Sequence, residues 1–417
     1  MNEKANIQLV KKLNENNVLN LIRENGPISR NELAKQSKIS KVAISEIVNR
    51  LDEAGYILEI GKGKSTSKGG KRPILLKLNP KAGYVVGVEI KITHTNIALA
   101  NIESNIKEIS LLEDEAGLPM DVTVPKIIDR IDGLLKKHKI KKTKLRSIGI
   151  SLPGFLDYEK GAIQYAETLI GWAQLPLASR FIDYYQIPII LENDVNTITL
   201  AEKSLGAGQG KSNIICLWIG EGIGAGIIMG GQLIRGENGN AGEIGYIEVG
   251  NYIADTKKFK YLYKNQKYFG ELLAEINLLK ALKKSLQIDS LIQLDSSTST
   301  FLHNLLQEGD QGNQAVQRVL DEYAYFVAVL CMNMIKTINP NLIILNGPVI
   351  ENSEYLLSKI RSIVKRRMTN IPFKASTIVV GDLKKQAGIK GAITLALQTI
   401  FEPPVTKSYN YLNISLD

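Results

Sequence analysis

Residues 29–78 constrain the fold more tightly than any other stretch, because they spell two short helices, a strand, a basic glycine-rich tip and a returning strand in quick succession. A helix precedes them. Asn17–Glu24 repeats its apolar positions at helical spacing, and Asn25-Gly26-Pro27 ends it with the residues favoured just past a helix C-terminus. Ser29 with Glu32 three places later is a capping box, which predicts a helix over Arg30–Gln36 with Leu33 and Ala34 facing inward. Ser40 caps a third helix whose apolar stripe is Ile44, Ile47, Val48 and Leu51. Its opposite face carries Lys41, Ser45 and Asn49. Gly55 closes that helix, Tyr56–Ile60 reads as a strand, and Arg72–Leu78 reads as its antiparallel partner.

A helix that is apolar on one side and short, polar and basic on the other fits a major groove, where it can donate to base edges and phosphates. The same pattern also suits an ordinary three-helix bundle, and the tip between the strands argues against that. Residues 61–72 hold four lysines and Arg72 with no acid, on a backbone loosened by glycine, so Lys68, Lys71 and Arg72 can reach phosphates or a minor groove. Glu46 on the third helix is repelled by phosphate unless it accepts from cytosine or pairs with Arg50. Residues 1–80 carry 15 lysines and arginines against 8 acids, a balance of +7 out of +10 for the whole chain. That concentration of charge is the footprint of a nucleic-acid partner, and binding should weaken steeply with salt.

The 417 residues suffice for two or three domains, and 44% apolar with 23% charged residues is a globular composition. No apolar run approaches the length needed to span a bilayer, and Met1–Lys4 opens no signal-peptide core, so a cytoplasmic location is expected. Cys216 and Cys331 each lie in apolar runs and read as small buried hydrophobes. From Gly83 onward strands alternate with helices. Strands are predicted at 84–89, 95–101, 106–112, 147–152, 187–192, 214–219, 225–229, 342–345 and 376–380, with helices at 124–137, 195–205, 315–337, 353–368 and 387–399. This α/β alternation predicts mixed twisted sheets covered by helices. The helix at 315–337 is apolar nearly all round, which places it between layers or at a subunit contact.

Asn193 and Asp194 follow an apolar strand and precede a helix, at the carboxyl end of a strand where α/β ligands collect. An amide beside a carboxylate can donate to and accept from neighbouring sugar hydroxyls; the plainer role for Asp194 is a helix cap.

Three ordered segments carry a family resemblance: Gly149–Gly154, Glu192–Asn196, and Gly220–Ile227 continuing through Gly242–Tyr246. In order and spacing they resemble the ROK family of sugar kinases and repressors. With the N-terminal module included, the chain resembles the family's transcriptional repressors of xylose, glucose or N-acetylglucosamine operons, over about residues 13–397. The resemblance implies a winged helix-turn-helix over 1–80 and a two-lobed α/β domain of the sugar-kinase, actin-like ATPase and ribonuclease H-like type. Its first lobe is expected over 81–195 and its second over 196–417, with the helix at 387–400 packing back on the first. It further implies that Pro153, Gly154 and Thr168 line an effector pocket with Asn193 and Asp194, that Glu243 meets the sugar near its anomeric end, and that in kinase members the aspartate matching Asp194 is the base.

Departures from the family separate regulator from kinase. The kinases have an aspartate, two glycines and a threonine in the first hairpin, where bare amides meet phosphate, whereas this chain has Glu89-Ile90-Lys91-Ile92-Thr93. Asn346 and Pro348 flank a single glycine in the adenosine region, so ATP is not expected to bind. The glycine run at 220–226 is kept and can serve a hairpin turn. Tyr246 stands where many members have a zinc-binding histidine, and no cysteine or histidine lies between Gly250 and Gly270, so no metal and no cofactor are expected. Tyr246 can instead donate to the ligand, Tyr252–Phe269 can order by aromatic packing, and the sugar-touching glutamate of the family either corresponds to Glu271 or is missing. The expected protein is a non-enzymatic, sugar-responsive repressor, a homodimer on a palindromic DNA duplex, whose lobes close on a monosaccharide effector. The alternative is an ATP-dependent sugar kinase with an accessory DNA-binding module.

Overall fold

The computed structural model describes residues 3–63, 72–91, 93–113, 118–166, 168–169, 171–250, 259–264, 266–288, 296–368 and 376–402. The N-terminal module consists of α1 (Glu3–Asn25), β1 (Ile28–Ser29), α2 (Arg30–Ser37), α3 (Lys41–Glu53), β2 (Ile57–Lys62) and β3 (Ile74–Leu78), with a small sheet in the order β1-β3-β2. The first helix is much longer than the predicted Asn17–Glu24. Its N-terminal half sets Ile7, Leu9, Val10 and Leu13 among lysines, asparagines and glutamine, and the helix as a whole is only weakly amphipathic. The predicted stripe of α3 is buried, and with Val18, Ile22, Leu33, Ile57 and Leu76 it supplies the module's core. Ser29 and Glu32 close their box in both directions: the Glu32 backbone N–H donates to Ser29 Oγ at 3.3 Å, and the Ser29 N–H donates to the Glu32 carboxylate at 2.9 Å. The Ser29 hydroxyl also donates to the Glu32 carboxylate, at 2.7 Å, and it and the Ser29 N–H favour the ionised form and lower the Glu32 pKa.

The chain then divides into two compact units, Met1–Asn193 with Ala392–Asp417, and Asp194–Gly391. In the first unit the sheet runs β10-β7-β4-β5-β6, where β4 is Tyr84–Ile90, β5 His94–Asn101, β6 Ile106–Glu113, β7 Leu145–Leu152 and β10 Ile189–Asn193. A short hairpin, β8 (Phe155–Asp157) with β9 (Ala162–Tyr165), and two helices, α4 (Met120–Lys137) and α5 (Leu177–Tyr185), complete it. Sequence reasoning missed the hairpin and α5, whose elements are short. On one face of the sheet α4 buries Val124, Ile127 and Ile131 in the core that holds Val86, Val88 and Ile97. The other face is different. Gly87 and Gly149 pair across β4 and β7, and a Cβ at either would collide with backbone at Ala392–Ala396.

The second unit opens with α6 (Asp194–Leu205), and its sheet runs β13-β12-β11-β14-β15: β11 Ile214–Ile219, β12 Ile223–Met229, β13 Gln232–Ile234, β14 Leu342–Asn346, β15 Thr377–Val380. Each of the two large sheets is therefore a three-stranded antiparallel meander extended by two parallel strands, in one shared order. The helices α7 (Phe269–Leu273), α8 (Glu275–Leu286), α9 (Ser296–Asp310), α10 (Gln314–Ile338), α11 (Pro348–Glu351) and α12 (Glu354–Met368) follow. The apolar girdle of α10 is explained inside this unit, where Val319, Tyr323, Phe326 and Leu330 are fully buried in the core it shares with α8, α9 and α12. Both cysteines are buried, and desolvation pushes each thiol up to about 12.

The last described helix, α13 (Ala387–Phe401), starts in the second unit and from Ala392 onward belongs to the first. Among the described residues no helix is long and apolar enough to cross a membrane.

The capping box gives the first prediction. Ser29→Ala should cost about 1 kcal/mol locally and raise hydrogen exchange of the α2 amides about fivefold. Because the Glu32 pKa is lowered on folding, its contribution is complete above the ordinary glutamate value and is lost as pH falls through the lowered one. The exchange ratio of variant to wild type should accordingly shrink in acid.

Candidate functional site

Lys41 and Asn49 are exposed on α3 and Ser45 is half-buried, with the Ser45 hydroxyl donating to the Lys41 carbonyl at 2.9 Å. Arg30, which sequence reasoning passed over, lies beside them. Its guanidinium donates to Asn49 Oδ1 at 3.0 Å and sits 3.5 Å from the Glu59 carboxylate on β2, so one side chain links α2, the outer face of α3 and the wing. Arg50 pairs with Glu15 of α1 at 3.6 Å, and not with Glu46 as one reading of the helix required. The exposed Arg72 enters β3; Lys68 and Lys71 lie outside the described residues.

In the first unit, Asn193 ends β10 in register with Leu152 of β7, so Pro153 and Gly154 leave the sheet beside it. The Asn193 amide donates to the Gly154 carbonyl at 3.3 Å. Gly154 has φ +104°, and a side chain there would run into the carbonyl of Tyr165, so the turn requires glycine. Glu192, fully buried, accepts from the Tyr158 hydroxyl at 2.6 Å and from the Asn193 backbone N–H at 3.0 Å. Tyr158 and Glu192 thus fix the strand end that presents Asn193. No local pattern marked Tyr158. Thr168 is half-buried, and its enclosed hydroxyl has no hydrogen-bond partner among the described residues.

In the second unit, Asp194 heads α6 and accepts from the Val195 N–H at 2.8 Å. Glu243 is held near it by an unusual approach: Gly242, at φ +97°, lies so close to Ala225 on β12 that a Cβ would strike the Ala225 carbonyl, and the Ala225 N–H donates to the Gly242 carbonyl at 2.8 Å. Burial raises the Glu243 pKa and the Asp194 charge adds to the rise. Two half-buried carboxylates that repel one another gain from a neighbour that donates hydrogen bonds to both, as a polyol does. Tyr246 is exposed and meets Tyr268 edge-on at 6.0 Å between ring centroids.

In the first hairpin, where the kinases present bare glycine amides to phosphate, this chain carries Ile90 and Lys91 behind Glu89. Glu89 is buried, receives the Asn96 amide at 2.8 Å and pairs with Lys91 at 3.1 Å, and the tight turn returns through a Lys91 N–H donating to the His94 carbonyl. In the second unit the glycine turn at 220–222 carries Glu221, and the buried Glu275 donates its backbone N–H to the Gly220 carbonyl. Burial raises the Glu275 pKa, with Glu221 contributing. Glu271, on α7, accepts from the Lys267 N–H at 2.9 Å, in the chain just ahead of that helix. Residues 251–258 lie outside the described residues. Beyond them Phe259 packs on Tyr325 and Phe326, and Glu322 accepts the backbone N–H groups of Lys260, Tyr261 and Leu262, so the expected aromatic packing is reinforced by one carboxylate.

The ROK family model matches residues 85–399, and a winged helix-turn-helix DNA-binding model matches 13–57. The chain belongs to the ROK family. It is 30% identical to the xylose repressor of Bacillus subtilis over 367 residues, covering 87% of this chain and 89% of that protein. It is 28% identical to the xylose repressor of Caldicellulosiruptor bescii over 404 residues, 96% and 99% of the two chains. Among solved structures, a ROK family transcriptional regulator described as a homologue of the E. coli Mlc protein superposes with a TM-score of 0.78 at 21% identity, over 94% of this chain and 97% of that one. That likeness extends the shared fold across the N-terminal module as well as the ROK domain.

A pH-dependent stability test follows from the acid pair. The folded-state pKa of Glu243 is raised, so its stabilising share is complete below the ordinary glutamate value and is lost as pH rises through the raised one. Glu243→Gln should therefore melt at a higher temperature than wild type at pH 8, with the difference vanishing below about pH 4. Equal melting curves at pH 8 would remove the repulsion.

Proposed function

We propose that this ROK protein is a xylose-responsive transcriptional repressor that acts in the cytoplasm as a homodimer on a palindromic duplex. One observation carries the reading: a single chain joins a winged helix-turn-helix to a family domain that keeps its carbohydrate-binding residue types while Ile90 and Lys91 replace the glycines of the phosphate hairpin. The carboxylates near the glycine turn would repel an incoming triphosphate, and Lys91 is engaged by Glu89. The relatives named as xylose repressors, similar over nearly their whole length, supply the choice of sugar.

In this reading Lys41, Ser45, Asn49 and Arg30 face the major groove, while Arg72 with Lys68 and Lys71 follows the phosphates. Two modules related by a dimer axis would enter successive major grooves about 34 Å apart. Asp194 and Glu243 of the second unit, and Asn193 of the first, are the residues assigned to sugar hydroxyls, and Pro153, Gly154, Thr168 and Tyr246 are the further effector candidates. Binding acts as a switch only because xylose prefers the state with the lower duplex affinity, a difference of roughly 1 to 3 kcal/mol in allosteric proteins.

The test uses duplexes that the purified chain selects from a random pool. Arg72→Ala should weaken binding and reduce the slope of log affinity against log salt by about 0.9, the value for one lost phosphate contact. Asp194→Ala should leave duplex affinity unchanged and abolish release by xylose. A wild-type chain that ignores duplexes at modest salt, yet phosphorylates xylose with ATP in a manner lost in Asp194→Asn, would establish the kinase reading instead.

A further inference from the structure

One face of α1 is occupied by the end of the chain's last described helix. Asn16 donates its side-chain amide to the Glu402 carbonyl at 2.7 Å, and Asn20, one turn on, donates to the Phe401 carbonyl at 2.6 Å. Arg23, a further turn along, lies over the Phe401 ring at 4.2 Å from its centroid. These residues fall at i, i+4 and i+7, so they form one stripe. The carbonyls at a helix C-terminus have no partner within the helix, and two of the orphaned acceptors of α13 are thus satisfied by α1. Phe401 is 2% exposed, so the contact is a packed one. The remaining faces of α1 engage the reading head: Val18 and Ile22 are buried in the module's core, and Glu15 pairs with Arg50 of α3.

At its other end α13 is bound to α6, the helix headed by Asp194. Gly391 lies so close to Thr197 that a Cβ would collide with the Thr197 carbonyl. Glu202, on the last turn of α6, is fully buried and accepts the backbone N–H groups of Asp382 at 3.3 Å and Leu383 at 3.0 Å, just before α13 begins. Between these two attachments α13 is a single uninterrupted helix of 15 residues, which transmits a displacement along its axis rather than absorbing it. Midway it rests on Gly87 and Gly149, where no side chain from either residue separates helix from sheet.

We propose that Asn16, Asn20 and Arg23 form a clasp on the C-terminus of α13, and that this clasp delivers the state of α6 to the recognition helix α3. They are positioning residues, since each acts on α3 through α1. The proposal rests on the sugar response proposed above for its ligand arm, and it has a second arm that needs no sugar. In the first arm, the purified full-length chain and its Asn16→Ala/Asn20→Ala variant are titrated with a pool-selected duplex with and without xylose, and xylose binding is followed by calorimetry. The double variant should bind xylose within about twofold of wild type and the duplex alone within about threefold, while a xylose-induced loss of duplex affinity of about fivefold or more in wild type falls below twofold. A loss of wild-type size in the double variant overturns the clasp.

In the second arm, Gly391→Ala, which drives a methyl group against the Thr197 carbonyl, should shift duplex affinity at least about threefold in the wild-type background and not in the Asn16→Ala/Asn20→Ala background. An equal shift in both backgrounds, or none in either, overturns the clasp even where xylose has no effect and the effector reading has failed. Thr197→Ser, which removes the methyl facing Gly391, replaces Gly391→Ala if that variant does not melt cooperatively.

Discussion

The close approach of α13 to bare backbone at Gly87 and Gly149 is the contact on which the arrangement of the first unit depends. A helix packed through side chains stands about 10 Å from a sheet and tolerates small slips, because interdigitated side chains can rearrange. Here the two glycines bring Ala392, Ile393 and Ala396 onto the strands, and any side chain at 87 or 149 would collide with helix backbone. Ser147, on the same strand as Gly149, donates its hydroxyl to the Ala396 carbonyl at 2.8 Å. With its height fixed by backbone contact and its position along the axis fixed by that hydrogen bond, α13 presents Phe401 and Glu402 to α1 at one defined place. The winged module is then tied to its lobe at a second point, where Arg146 donates to the Ala82 carbonyl and lies over the Tyr56 ring.

Charge is distributed with a similar economy. Glu192, Glu202 and Glu322 are structural carboxylates, each accepting two or more hydrogen bonds, at least one of them from a group remote in sequence. Such acceptors are well satisfied and hold backbone in place. Asp194 with Glu243, and Glu221 with Glu275, have the opposite character, since each pair raises the cost of ionisation of one member. A folded protein keeps a repulsive pair where something outside the fold offsets it or where the repulsion itself is useful. The first alternative suits hydroxyl donors at Asp194 and Glu243. The second suits exclusion of anions at Glu221 and Glu275.

Much of this was legible in the sequence, for reasons that differ by region. The stripe on α3 and the Ser29 box were readable because both are periodic or local, and the strands from Tyr84 to Asn101 and from Ile214 to Ile219 because they are dense in β-branched or apolar residues. The N-terminal half of α1 was not, since Ile7, Leu9, Val10 and Leu13 are interspersed with charged and amide residues and make a weak stripe. Arg30 was missed as well: its role depends on Asn49 and Glu59, 19 and 29 residues away, brought to it only by the turn between helices and the return of the wing. Tyr158 escaped notice for the same reason, as its partner Glu192 is 34 residues further on.

The clasp lies at the extreme of this scale, with partners separated by 386 and 381 residues. Neither asparagine stands out in its helix, and Phe401 reads as one more apolar residue at a helix end. What gives them meaning is that α13 is the sole described helix with residues in both compact units, so its two ends report on different parts of the chain. In each of the two large sheets the last parallel strand is followed by a helix, α6 after β10 and α13 after β15. The first of these equivalent helices carries Asp194 at its N-terminus, and the second carries the module's anchor at its C-terminus. Because Gly391 and Thr197 let their backbones nearly touch, a shift at one helix has no compressible layer in which to dissipate before it reaches the other.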